Sequence, residues 1–285
     1  MKVSRQSRGG TKEIVNYYTA FDSAVSVTSL VQTNLTVFED ACDWYAGKPK
    51  AWGRYLGTGG GVATPLTKVE AQFLHSQGVS ILLIYNDINP TTLGNGYAGG
   101  VNDAQKAINS AKSLGVPANV LIVGDLEMGW PVNAPWIEGW ANTMKSSIYG
   151  GAGALYGSIS QPYFTEPFKQ ALSANSYVGQ ILLFGAAWNA RPWSKTTKPQ
   201  WSPPSVNGST KNIFAWQASG ASYGGIVDLD LVVDPLPQVD SNPITLWMPP
   251  VQKPVEPSTP SQPTISTTPI SNDLIIRIKS LVNLL

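Results

Sequence analysis

Short apolar runs alternate with segments of helical periodicity along most of the chain. Apolar residues over 101–114 recur at helical spacing, and the following Gly115-Val-Pro117 is typical of a helix end. Segments 136–144 and 167–172 also predict helices, and the stretch around His75 reads as a further one. Eight apolar runs predict strands, at 17–22, 51–56, 79–87, 120–127, 153–156, 180–186, 213–217 and 226–231.

The order of these elements predicts the fold class. Strands that alternate with helices form βα units, and eight such strands over this length fit a single α/β barrel. Helices are short or missing around 185–211, so we expect an irregular (β/α)8 TIM-type barrel rather than a regular one.

The composition changes after Met248. Seven prolines between 249 and 269 alternate with Ser and Thr, which predicts a disordered, semi-stiff linker over 248–271. Residues 272–285 regain an amphipathic helical pattern. We therefore divide the chain into a flexible amino terminus (1–13), a barrel (14–247), the linker and a terminal helix. That helix either docks to a protein assembly or packs back on the barrel, and docking is favoured because a returning helix would need no long linker.

The net charge and the small numbers of cysteine and histidine limit the kinds of ligand and catalytic site that the chain can have. Charged residues make up 13% of the chain and leave a net charge of +1, so there is no electrostatic footprint for nucleic acid. One cysteine, Cys42, excludes an internal disulfide and a cysteine-rich zinc site. One histidine, His75, is too few for a catalytic triad or a histidine metal site. We therefore expect carboxylate chemistry that uses no cofactor or metal.

The sequence has neither a run of apolar residues long enough for a transmembrane segment nor a recognisable secretory signal. We expect a protein that is secreted or acts at the cell envelope by another route, or one that is made in the cytoplasm and released later.

Asp125-Leu-Glu127 is the clearest chemical signal. It closes the apolar run 120–123, and side chains two residues apart leave a strand on the same face. Both acids are thus predicted at the carboxyl end of a barrel strand, where barrel enzymes hold their active sites. Paired carboxyl groups in unequal environments are what glycosidic bond cleavage requires.

Other strand ends add acids and ring-bearing side chains. Asp22 ends the first strand and Asp228 lies in the eighth, its neighbour in a closed barrel, so these acids should meet at one mouth. Arg54 is a candidate partner for a carboxylate, either of the substrate or, preferably, within the protein. Aromatic rings near strand ends either bind sugars or pack in the core; these are Tyr85, Tyr156, Trp188 and Trp216.

Six motifs follow one another along the predicted strands, and they are Phe21-Asp22, Arg54-Tyr-Leu-Gly57, Asp125-x-Glu127, Gly153-Ala-Leu-Tyr-Gly157, Ala215-Trp-Gln217 and Val227-Asp-Leu-Asp230. Together they resemble the motifs of the glycoside-hydrolase-like barrels of unknown function related to family 25 lysozymes. The resemblance spans residues 14 to about 235.

The resemblance implies residue roles. Glu127 would be the general acid, and Asp125, Asp22 and Asp228 would line the same pocket as further catalytic candidates. Gln217, in the seventh-strand motif, joins the substrate-binding candidates. The lysozymes usually have Asn where this chain has Asp230, which adds one more acid near the site.

Two functions follow as expectations. The first is a glycosidase that resembles an N-acetylmuramidase and cleaves peptidoglycan or a related cell-wall glycan. The alternative is a non-catalytic module that binds glycan or serves a cell-envelope or phage-like assembly, attached through residues 272–285.

Overall fold

The computed structural model describes residues 15–151, 153–187, 200–206, 209, 211–223 and 226–249. Within these ranges, eight of ten strands close a barrel, and the other two, β2 and β3, form a small antiparallel sheet. The strands are β1 Tyr17–Ser23, β2 Leu30–Gln32, β3 Leu35–Thr36, β4 Ala51–Tyr55, β5 Ser80–Tyr85, β6 Ile122–Asp125, β7 Ala154–Gly157, β8 Leu182–Ala186, β9 Ile213–Tyr223 and β10 Val227–Val233.

Helices pack around the barrel and have clear sequence signals at their ends. The side chain of Thr36 and that of Glu39 form a capping box at the start of the first helix. The fourth helix ends at Gly115, whose φ of 83° is the left-handed cap predicted from the Gly-then-Pro sequence. The helices are α1 Val37–Tyr45, α2 Lys68–Ser76, α3 Pro90–Gly94, α4 Gly96–Leu114, α5 Ala134–Lys145 and α6 Pro162–Ala174.

The barrel prediction is confirmed, and the barrel is irregular in the direction of one strand, which the sequence did not predict. Much of 185–211, where helices were expected to be short or missing, lies outside the described residues. Strands follow one another around the barrel in the order β1-β4-β5-β6-β7-β8-β9-β10, and β10 pairs with β1 to close it. Neighbours from β1 to β9 are parallel, but β10 is antiparallel to both β9 and β1. The amino end of β10 therefore lies at the carboxyl ends of the other strands, which we call the mouth of the barrel.

Two apolar layers hold the barrel together, because alternate residues of each strand face opposite ways. The inner layer fills the barrel with small and branched side chains such as Ala20, Leu82 and Val123. The outer layer lies between strands and helices and contains large rings such as Trp52 and Trp136. The direction of each functional side chain follows from this alternation.

The segment after β10 closes the end of the barrel opposite the mouth. Ile81, at the start of β5, bridges to Trp247, and Val120, before β6, bridges to Thr245. His75 on α2 makes a 3.1 Å hydrogen bond through Nε2 with the Trp247 carbonyl oxygen and packs edge-on against its ring. The single histidine therefore has a structural contact.

Several expectations concern residues outside the described ranges. They are the flexible amino terminus 1–13, the terminal helix 272–285, all of the linker 248–271 except its first two residues, and Trp188. None of the helices in the described ranges combines the length and apolar character needed to cross a bilayer.

Candidate functional site

The mouth of the barrel gathers acids from three separate parts of the chain. Asp22 ends the inner face of β1, Asp125 ends β6 and Glu127 follows it, while Asp228 and Asp230 lie on β10. We call these five side chains the carboxylate cluster. Their charges meet in one space, because those of Asp22, Asp125, Asp228 and Glu127 all act on the hydroxyl of Tyr55 at the end of β4.

Gln217 connects the two sides of the cluster. Its Nε2 donates to Asp22 Oδ2 at 3.1 Å and to Asp228 Oδ2 at 3.2 Å. The hydroxyl of Tyr156 donates to Gln217 Oε1 at 2.6 Å, which fixes the orientation of the amide. Asp22 and Asp228 are themselves paired across β1 and β10. The antiparallel strand is what brings Asp228 to the mouth.

The two acids of the Asp125-Leu-Glu127 motif have unequal environments. Asp125 is 6% exposed, and its Oδ1 has no hydrogen-bond partner among the described residues. Glu127 is partly exposed and lines an open cleft of about 240 Å³. Tyr156, Ser158 and Gln161 line the same cleft. Glu127 is therefore the acid of this pair that a molecule in the cleft can reach.

Burial and mutual repulsion favour protonated acids in the cluster. Burial raises the pKa of Asp125 well above its usual range, and the charges of Glu127 and Asp22 raise it further. Burial, followed by the charge of Asp22, raises the pKa of Glu127, although a hydrogen bond from the Met128 amide opposes this. Burial also raises the pKa of Asp22, against hydrogen bonds and the charge of Arg54. The cluster therefore holds protons that isolated carboxylates would release.

Arg54 lies behind the cluster rather than in the cleft. Its Nε donates to Glu70 Oε1 at 2.6 Å, both side chains are buried, and its other nitrogens donate to the Ser23 and Thr64 carbonyl oxygens. The Val27 amide donates to the same Glu70 oxygen. Of the two sequence alternatives for Arg54, the structure favours the internal ion pair, and its placement among substrate-binding residues is corrected.

Two predicted sugar-binding rings are buried in the outer layer. Tyr85 is 2% exposed and stacks on Trp140, with 6.4 Å between ring centroids. Trp216 is 3% exposed and donates through Nε1 to the Ala187 carbonyl oxygen at 3.1 Å. Strand alternation directs both rings away from the barrel interior. Of the two sequence alternatives for these rings, the structure favours core packing for Tyr85 and Trp216, and their placement among substrate-binding residues is corrected, whereas Tyr156 lines the cleft.

Sequence reasoning did not select Tyr55 as a site residue and gave Asp230 no role. Tyr55 shares the inner face of β4 with Gly53, where a Cβ atom would lie 2.7 Å from the Cβ of Asp22. Asp230 is two residues from Asp228 and shares its face of β10. Tyr55 lies two residues after Gly53 and Asp230 lies two residues after Asp228, so strand alternation places both side chains on the inner face.

Among the described residues, no group of three or more His, Cys, Asp or Glu side chains is arranged so that it could hold a metal ion. The carboxylate cluster is instead organised by the Gln217 amide.

Comparisons with known proteins agree with this barrel. An uncharacterized B. stearothermophilus protein is 29% identical, covering 76% of this chain and 96% of its own, with a TM-score of 0.65. The Mycobacterium tuberculosis Tat-secreted protein Rv2525c, in complex with L-tartrate, is 17% identical over the same shares, with a TM-score of 0.50, a likeness of fold. The Streptococcus pneumoniae autolysin LytC with a synthetic peptidoglycan ligand is 16% identical, with a TM-score of 0.44 over 80% of this chain and 48% of its own.

No curated protein matches the chain. The family model for the Rv2525c-like, glycoside hydrolase-like domain matches residues 42–230, which is more than half of the sequence and includes four of the five acids of the carboxylate cluster. The chain therefore belongs to the Rv2525c-like glycoside hydrolase-like family.

Proposed function

We propose that this protein is a glycosidase that cleaves peptidoglycan or a related cell-wall glycan, with Glu127 as the general acid. One observation carries the proposal: Glu127 lines the open cleft while burial and the charge of Asp22 raise its pKa. A general acid must hold its proton near neutral pH and must reach the oxygen of the leaving group.

The rest of the cluster supplies complementary roles. Glu127 donates its proton to the glycosidic oxygen as the bond to the anomeric carbon breaks. Positive charge then develops on the sugar ring, and Asp22 and Asp228, held together by Gln217, are placed to stabilise it. Water adds to the anomeric carbon to complete the hydrolysis and gives its proton to a carboxylate of the cluster. Asp125 ends β6 two residues before Glu127, and burial together with the charges of Glu127 and Asp22 raises its own pKa, so it adds a protonated group beside the general acid.

The substrate class comes from the family 25 resemblance, since Asp22, Asp125, Glu127 and Asp228 match the residue types and strand positions of those barrels. A cell-wall substrate requires a protein that reaches the envelope or is released from the cell. The cleft also has hydroxyl and amide groups suited to sugar hydroxyls, in Tyr156, Ser158 and Gln161.

The decisive experiment is mass spectrometry of products after incubation of the full chain with purified peptidoglycan. Glu127→Gln should lower the release of reducing ends by about 100-fold or more, because it removes the transferable proton. Glu166→Gln, on the exposed side of α6, is the matched control and should behave as the unchanged protein does. Equal product release by Glu127→Gln would remove the proposed mechanism.

A second candidate is a glycan-binding or structural module without cleavage. It is favoured by the internal bonding of the cluster, since Asp22 and Asp228 already accept hydrogen bonds from Gln217. The full chain would then be retained on insoluble peptidoglycan without release of reducing ends. Attachment to an assembly through residues 272–285 belongs to this candidate, and charged substitutions at Ile278 and Leu281 would abolish it without loss of glycan retention.

A further inference from the structure

Asp230 is the most deeply buried acid of the carboxylate cluster. It is 0% exposed and faces the interior of the barrel from β10, opposite Ala20 of β1 and Gln217 of β9. Neither of its carboxylate oxygens has a donor among the described residues. A buried, ionised carboxylate with no donor would cost several kcal/mol in desolvation alone.

The acid that acts most directly on Asp230 is Asp22. The two residues lie on the paired strands β1 and β10, and their carboxyl groups are close enough to share a hydrogen bond when one of them carries a proton. Such a bond between two carboxyl groups requires one proton, because ionised carboxylates are acceptors only. One of the two residues must therefore be a neutral acid.

The surroundings indicate which residue holds the proton. Asp22 also accepts from Gln217 Nε2 at 3.1 Å, and the charge of Arg54 favours its ionised form. Asp230 has neither aid, and the charges of Asp22 and Asp228 oppose its ionisation. The other polar groups directed to this space are Tyr55 from β4, Asp125 and Glu127 at the end of β6, and Tyr156 from β7.

We propose that Asp230 is a neutral carboxylic acid that donates a hydrogen bond to Asp22 and acts as a positioning residue in the carboxylate cluster. Asp22 is then held by two donors, Asp230 and Gln217, and Tyr156 holds Gln217 in turn. Burial and the charge of Asp22 raise the pKa of Asp230 well above its usual range, which agrees with this assignment. The protonation state of Asp230 is independent of the proposed function, whereas the effect of Asp230 on glycan cleavage rests on that function.

Infrared spectroscopy of the full chain tests the protonation state directly. The unchanged protein at pH 7 should give the carbonyl band of protonated carboxylic acid. In Asp230→Asn the intensity of this band should fall by the contribution of one carboxyl group. Asp43→Asn, at an exposed position of α1, is the control and should leave the band intact. Absence of the band in the unchanged protein, or an equal band in a folded Asp230→Asn variant, would overturn the proposal.

The pH dependence of product release tests the positioning role. Asp230→Leu removes the donor, so the acid limb of the profile should move to higher pH by roughly one to two units, the effect of a hydrogen bond to a charged group. Asp230→Asn keeps a donor and should restore most of that shift, whereas equal profiles for the two variants would contradict a donor role. If the unchanged protein releases no product, the glycosidase proposal fails and the infrared result still decides the protonation state.

A bound cation is the rival explanation for two adjacent acids. In that case Ca²⁺ would raise, and EDTA would lower, the unfolding temperature of the unchanged protein but not that of Asp230→Asn. We expect neither reagent to shift the unfolding temperature, and such a shift would overturn the assignment of a proton.

Discussion

Asp22 and Asp228 lie opposite each other on antiparallel strands, and Gln217 Nε2 donates to both, at 3.1 and 3.2 Å. A parallel eighth strand would place Asp228 at the opposite end of the barrel, because it lies near the start of β10. The reversed strand and the Gln217 bridge together bring Asp22 and Asp228 side by side at the mouth of the barrel. The geometry of the site thus depends on the one strand that departs from the regular barrel.

Removal of the Gln217 bridge should destabilise the fold. Gln217→Leu leaves two carboxyl groups without a shared donor and should lower the free energy of unfolding by about 2 to 4 kcal/mol. Tyr156→Phe removes only the hydroxyl that orients the amide and should cost about 1 kcal/mol. Urea denaturation at neutral pH measures both losses, and a larger loss for Tyr156→Phe would contradict the central position of Gln217.

Stability should fall as the pH rises above about 4. Asp22, Asp125, Glu127 and Asp230 all have pKa values raised by burial. Between the unfolded and the folded pKa of such a group, the folded state binds more protons, so its contribution is complete below the unfolded pKa and is lost as pH rises through the folded pKa. Thermal unfolding between pH 4 and 8 at constant ionic strength measures this slope.

Asp125→Asn measures the part of this pH dependence of stability that comes from Asp125. The amide cannot ionise, so the variant should lose about 1.4 kcal/mol less stability per pH unit wherever Asp125 would release its proton on unfolding. Asp43→Asn, at an exposed position of α1, is the control variant for this measurement. A slope that is identical in Asp125→Asn would show that Asp125 titrates alike in both states.

The sequence predicted the eight barrel strands because their apolar runs are short and separated by clear turn or helix signals. The reversed direction of β10 could not be read from the chain, since an apolar run carries no information on strand direction. The short connection between β9 and β10 was the available signal, because a parallel crossover needs a dozen or more residues. Asp22, Asp125, Glu127 and Asp228 were nevertheless placed together, from their positions on predicted strands of a closed barrel and from the family resemblance.

The site residues that the sequence analysis misplaced were assigned to the correct strands but to the wrong face of each strand. Arg54, Tyr85 and Trp216 lie near the mouth along the chain but face the outer layer. Tyr55 and Asp230 were not selected, although each lies two residues from a position that faces inward. Whether a strand residue faces the barrel interior is therefore predicted better by its even or odd spacing from an inward-facing residue of the same strand than by its distance from the strand end.

Gly53 provides the space in which Asp22 sits. A Cβ atom there would lie 2.7 Å from the Asp22 Cβ, so Gly53→Ala must displace the acid or the strand, and we expect a loss of about 1 to 3 kcal/mol. Gly94→Ala, where a Cβ meets nothing within 4 Å, should be close to neutral. Chemical denaturation of both variants checks this, and equal stabilities would contradict close packing at Asp22.

The buried Arg54–Glu70 pair should have a larger role in stability than in substrate binding. Arg54→Met leaves Glu70 buried beside the Val27 amide without its cation and should cost about 3 to 5 kcal/mol. The double variant Arg54→Met with Glu70→Leu removes both charges and should recover much of that loss, because an apolar pair carries no desolvation cost. Denaturation of the single and double variants gives the coupling energy. Additive losses, or a single variant that keeps its stability but no longer binds glycan, would instead return Arg54 to the cleft as a ligand contact.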